Sequence, residues 1–131
     1  MTEKKLLFPG SVLDLYVVFQ EDRSEVAEFI DRLTSPDLGQ FSHLKGALTH
    51  HGIPRNTSKF RNEGNGIYAL KTQNARIYGF FDGPRSFVLA LGFKKGGKGG
   101  RKVERRHYER ACEIRKLLRA NEGQEEHTHG S

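Results

Sequence analysis

Three short β-type segments, Ile67 to Lys71, Ala75 to Phe81 and Ser86 to Phe93, follow one another with only Thr72-Gln73-Asn74 and Asp82-Gly83-Pro84-Arg85 between them. Connections this short leave no room for a crossover helix, so the strands must pair antiparallel as a meander. Ahead of them, Leu13 to Phe19 reads as an N-terminal strand, with Tyr16, Val17, Val18 and Phe19 in a row. Ser24 or Asp22 can cap a helix carrying Glu25 and Glu28 in its first turn, and Val26, Phe29, Ile30 and Leu33 form its apolar stripe. Ser35 and Pro36 suit the start of a second helix, on which Leu38, Phe41, Leu44 and Leu48 repeat until Gly52 and Pro54. Arg55 to Gly66 reads as a polar, basic loop, and Lys94 to Lys102 as a glycine-rich cationic loop. A last helix is expected from Val103 to about Ala120, with Val103, His107, Ala111, Ile114 and Leu118 on one face. The expected fold is α+β: a mostly antiparallel sheet (N-terminal strand plus three-stranded meander) with two N-terminal helices and one C-terminal helix, all on one face. With 131 residues this is one domain over residues 1–120, followed by a disordered acidic tail over 121–131.

Strand alternation carries the first functional statement. A loop at Gln73-Asn74 sets Lys71 opposite Arg76, with Ile67, Ala69, Tyr78 and Phe80 on the same face. In the last segment Phe87, Leu89, Leu91 and Phe93 form one set, and Val88, Ala90, Gly92 and Lys94 the other. Placing the Phe/Leu set under the helices gathers Lys71, Arg76 and Lys94 beside Tyr78 and Phe80 on the free face. That arrangement needs an odd number of loop residues, or a bulge, before the last strand, and Pro84 disfavours a tight primed turn there.

Charge points to a polyanion. Residues 55–119 hold 17 basic and 5 acidic side chains, whereas residues 1–54 hold 5 basic and 8 acidic. A cationic face with an aromatic floor suits single-stranded RNA, whose phosphates need Lys and Arg and whose bases stack on flat rings. Candidate RNA contacts are Arg55, Lys59, Arg61, Tyr78, Phe80, Arg85, Lys98, Arg101 and Lys102; ordinary packing is the alternative for Tyr78 and Phe80. One cysteine, Cys112, excludes a disulfide framework and reads as a core thiol. His50-His51 and the His127, His129 pair make poor chelates, so no metal or other cofactor is expected. No apolar run approaches the roughly 18 residues of a membrane span, and Met1 to Leu7 is too mixed for a signal peptide, so a cytoplasmic protein is expected.

Four runs carry a family resemblance: Val26-Ala27-Glu28-Phe29-Ile30-Asp31-Arg32-Leu33, Gly66-Ile67-Tyr68-Ala69-Leu70-Lys71, Ala75-Arg76-Ile77-Tyr78-Gly79-Phe80-Phe81 and Phe93-Lys94-Lys95. In this order and spacing, over residues 15–118, the chain resembles RelE/HigB-type toxins of type II toxin–antitoxin systems, nearest their phage-derived subgroup. The resemblance implies a small RelE-like domain and metal-independent cleavage of mRNA, typically on the ribosome, by attack of the ribose 2′-OH on the adjacent phosphate. It also implies a cognate antitoxin as partner. By position, Arg76 matches the strand arginine expected to hold the scissile phosphate. Lys71 matches the basic residue ending the preceding strand, and Lys94 and Lys95 the basic pair ending the last.

The chain departs from the family pattern in its proton-transfer groups. No His or Tyr closely follows Phe93; His107 and Tyr108 lie inside the expected last helix, where packing is the alternative for either, His107 being on the apolar stripe. If the chain has a base, the candidates are a lysine whose pKa its cationic neighbours lower, or Glu63. Two other readings stay open: a gyrase-poisoning toxin that cuts nothing, and a phage-derived RNA-binding protein without catalysis.

Overall fold

The computed structural model of the chain describes residues 1–96 and 99–129. Among these the element order is β1 (Thr2–Phe8), β2 (Asp14–Gln20), α1 (Glu25–Asp31), α2 (Asp37–His51), β3 (Phe60–Gly64), β4 (Ile67–Lys71), β5 (Ala75–Phe81), β6 (Ser86–Lys94) and α3 (Gly100–His129). The strands form one sheet in the order β1-β2-β6-β5-β4-β3. β2 and β6 run parallel, and every other neighbouring pair is antiparallel.

This corrects the expected RelE-like domain. The sheet is larger, six strands instead of four, and it is mixed, because β6 is inserted between β2 and β5. The two N-terminal helices and one C-terminal helix are present. They do not share one face. Phe29 of α1 lies against Gly92, close enough that a Cβ there would strike its ring. The next residue of β6, Phe93, stacks on His107 of α3, ring centroids 4.1 Å apart. Successive strand residues point to opposite faces, so the sheet is sandwiched between α1/α2 and α3. A strand inside such a sandwich is apolar on both faces, which is why β6 buries every residue from Phe87 to Leu91.

Two strands form where the sequence shows no strand pattern. β1 carries Lys4 and Lys5 on the sheet edge, a charge placement that blunts edge-to-edge pairing. β3 buries only Phe60 and is held by its ladder to β4. A bulge at Glu63 and positive φ at Gly64, Asn65 and Gly66 turn the chain back into β4. Helix α1 starts as expected, with Ser24 Oγ accepting from Ala27 N at 3.2 Å. α2 begins after Pro36 without a side-chain cap. α3 runs on through Asn121, which is buried, and ends at His129, within the stretch expected to be a disordered acidic tail. No helix among the described residues is long and apolar enough to cross a membrane.

A bulge in β6 decides which way the cations point. Phe81 pairs with Phe87 and Gly79 with Leu89, as the odd-length turn requires. Between Gly79 and Tyr78 the register slips by one, leaving Ala90 as the extra residue, so that Tyr78 faces Leu91 and Arg76 faces Phe93. The Phe/Leu set is thereby split: Phe87 and Leu89 lie under α1 and α2, Leu91 and Phe93 under α3. Lys94, one step beyond Phe93, projects from the face opposite Arg76, which corrects the expectation that Lys71, Arg76 and Lys94 share a face.

Candidate functional site at the cationic end of the sheet

Lys71 and Arg76 are register partners on the α3 face, where the short Thr72–Asn74 turn puts them. Their surroundings give them different tasks. The Arg76 guanidinium donates to Thr72 O and Ala75 O, both at 2.9 Å, so it ties down the turn. Lys71 Nζ instead lies 3.4 Å from Glu63 Oε1, across to the edge strand. Glu63 owes its position to the β3 bulge, the feature that a reading of residues 55–66 as loop misses.

The start of α3 covers the sheet beside this pair. Arg101, Glu104, Arg105 and Tyr108 fall three and four apart on one helix face, and with Glu63 and Tyr78 they line an open hollow of about 480 Å³. With Lys71 and Arg76 beside the hollow and Glu109 drawn to Arg105 at 3.2 Å, four cations stand against three carboxylates. Tyr78 is buried but for its edge on the hollow. Its phenol is pushed up to about 12, first by burial and then by Glu63 and Glu104, against the opposing charge of Arg76. At neutral pH it is therefore a hydrogen-bond donor. His107 is used otherwise: it packs on Phe93, and burial, with Arg106 and Arg110, holds its pKa below the ordinary value.

The remaining sequence candidates separate. Phe80 is fully buried beneath α3 and offers no stacking surface, and Tyr78 offers only its edge. Solvent-exposed rings on the sheet, expected as a floor for bases, are replaced by core packing because α3 covers that face. Lys94 opens on the other face, and Lys95 is exposed at the sheet end, its N–H donating to Asn74 O at 2.8 Å. Lys59 adjoins Lys71, whose N–H donates to Lys59 O at 2.8 Å. Arg61 is exposed on β3, and Arg55 on the loop before it. Arg85 lies at the far end of the sheet, where its carbonyl accepts from Asp14 N. Arg101 lines the hollow and Lys102 follows it, exposed, on the same turn. Lys98 lies outside the described residues. Sequence reasoning passed over Glu104 and Arg105, although the 101, 104, 105, 108 spacing marks one helix face.

The hollow holds groups that can accept and donate protons beside positive charge. It has a carboxylate held by a lysine, a protonated phenol, and two arginines with exposed guanidiniums. Among the described residues no group of three His, Cys, Asp or Glu side chains is placed to hold a metal ion. No protein-family model matches the chain, and no curated protein matches it.

Proposed function

We propose that this protein is a metal-independent endoribonuclease acting on single-stranded RNA, with the hollow between β3–β5 and the start of α3 as its active site. The observation that carries the reading is Glu63, held 3.4 Å from Lys71 and lining a hollow that also presents Tyr78, Arg101 and Arg105. Cleavage by 2′-OH attack needs a proton acceptor, and Glu63 supplies a carboxylate that Lys71 orients. The phosphorane-like transition state needs positive charge, which Arg101 and Arg105 bring from one helix face, Arg105 exchanging its 3.2 Å contact with the exposed Glu109 for the phosphate. The departing 5′ oxygen needs a proton, and Tyr78 stands protonated at the wall. Arg76, expected to hold the scissile phosphate, is assigned a supporting role, since its Nη1 is held by the turn carbonyls of Thr72 and Ala75 and it does not line the hollow.

The likeness of the four sequence runs to RelE/HigB-type toxins supports mRNA, on the ribosome, as the substrate, a protein antitoxin that covers the cationic surface, and action in the cytoplasm. The test is incubation of labelled single-stranded RNA with the protein in EDTA, alone and with translating ribosomes, followed by mapping of the new ends. The reading predicts 2′,3′-cyclic phosphate ends for wild type and their loss in Glu63→Gln. Intact RNA in both settings would reject it; supercoiling inhibition without RNA cleavage would select a gyrase-poisoning toxin, and tight binding without turnover a non-catalytic RNA-binding protein.

A further inference from the structure

On the opposite face of the same sheet end lies a second cleft, of about 550 Å³, between α1 and the β4–β5 turn. Phe29 and Leu33 form its apolar floor, and Arg32 and Lys94 stand on its rim. Asp37 lies beneath, its carboxylate engaged by Thr72 Oγ1 at 2.6 Å, Asn74 N at 2.8 Å and Asn74 Nδ2 at 3.1 Å. The rim cations are loosely committed. Arg32 is 78% exposed and reaches Glu28 only at 3.9 Å. Among the described residues no ion pair forms at Lys94.

We infer that this cleft binds a nucleotide of the same RNA strand that enters the hollow, its phosphate between Arg32 and Lys94 and its base against Phe29 and Leu33. The inference rests on the endoribonuclease reading and extends it to substrate binding away from the scissile bond. Three observations support this occupant. An apolar floor with two rim cations matches a nucleotide's flat base and its phosphate. Ala75 and Lys94 line the cleft, and Tyr78, three residues along β5 from Ala75, lines the hollow, so the two openings lie on opposite faces of one sheet end. Lys95, exposed and anchored through its backbone to Asn74, stands on the edge between them and gives a strand passing around the end a phosphate contact. Lys94, separated from Arg76 by the β6 bulge, thus serves the RNA from the other side.

The experiment uses fluorescein-labelled 2′-O-methyl oligouridylates of increasing length, which bind without being cut, and the full-length chain. Wild type is compared with the double variant Arg32→Ala/Lys94→Ala, both positions being exposed. The expected result is an affinity roughly tenfold weaker for long probes, with short probes unaffected, and a salt dependence shallower by about 1.4 log units per decade for two lost single-strand contacts. Equal affinity and equal salt dependence for long probes would overturn the inference. Failure of wild type to cut unmodified RNA, with the length-dependent loss still seen, would reject the nuclease reading alone. No binding of any probe by wild type would reject both.

Discussion

Glu63 Oε1 lies 3.4 Å from Lys71 Nζ, and their side chains keep only 27% and 20% of their exposure. The pair joins edge strand β3 to β4 where α3 begins, so it is sheltered but reachable. A pair at a sheet edge, partly sheltered but still reached by water, adds about 1 kcal/mol or less to stability. Lys71→Ala should therefore fold, with a melting temperature within a few degrees of wild type. Cleavage should fall about 10²- to 10⁴-fold in Glu63→Gln, the range for loss of a positioned proton acceptor, and single-turnover kinetics at saturating RNA would measure it.

Gly92 is where α1 meets the sheet. A methyl group there would press into the Phe29 ring. Gly92→Ala should destabilise the fold by about 1–3 kcal/mol through overpacking, read from urea unfolding. Adding Phe29→Leu should recover part of the loss, because the smaller side chain can retreat.

Asp37 fixes the Thr72–Asn74 turn to α2 through three accepted hydrogen bonds. These bonds, Thr72 first, hold its carboxyl below the usual range. Asp37→Ala leaves their donors unpartnered and should cost about 1–3 kcal/mol. It should also lower activity, since the same turn positions Lys71 and Arg76. For wild type the Asp37 contribution is present above the ordinary carboxylate range and fades as pH drops through the depressed value.

At the far end of the sheet, Lys4 Nζ sits 2.9 Å from Asp82 Oδ2 and 3.7 Å from Glu122 Oε2, joining β1, the β5–β6 turn and α3. Burial, then the Asp82 carboxylate, pushes Glu122 up to about 7, with Lys4 opposing. Its folded value exceeds its unfolded one, so the native state binds the extra proton between about pH 4.5 and 7. The stability from this proton is complete below that window and is lost as pH rises through it. Glu122→Gln should flatten the slope of melting temperature against pH across this window. With Glu122 31% exposed, the effect should be no more than about 1 kcal/mol.

Where local chemistry specifies structure, the chain is readable. Ser24 and the Val26/Ile30 stripe mark α1, and the short Thr72–Asn74 turn places Lys71 opposite Arg76. β1 and β3 are hidden because edge strands need no apolar alternation; their ladders are supplied by β2 and β4. The bulge at Ala90 has no marker, since Val88, Leu89, Ala90 and Leu91 are all apolar and suit either face. That single slip moves Lys94 across the sheet, and the packing of α3 on the face expected to be free buries Tyr78 and Phe80. The hollow was partly visible in Glu63, Lys71 and Arg101. What brings them together, a bulged edge strand and the first turns of a helix, is long-range and leaves no local trace.

The most direct test is cleavage of an RNA in which the 2′-hydroxyl at the mapped cut is replaced by hydrogen, assayed in EDTA beside the all-ribose RNA. The account predicts cleavage of the ribose substrate to a 2′,3′-cyclic phosphate, none of the deoxy-substituted one, and none of either by Glu63→Gln. Equal cutting of both substrates by wild type, or undiminished cutting by Glu63→Gln, would contradict it.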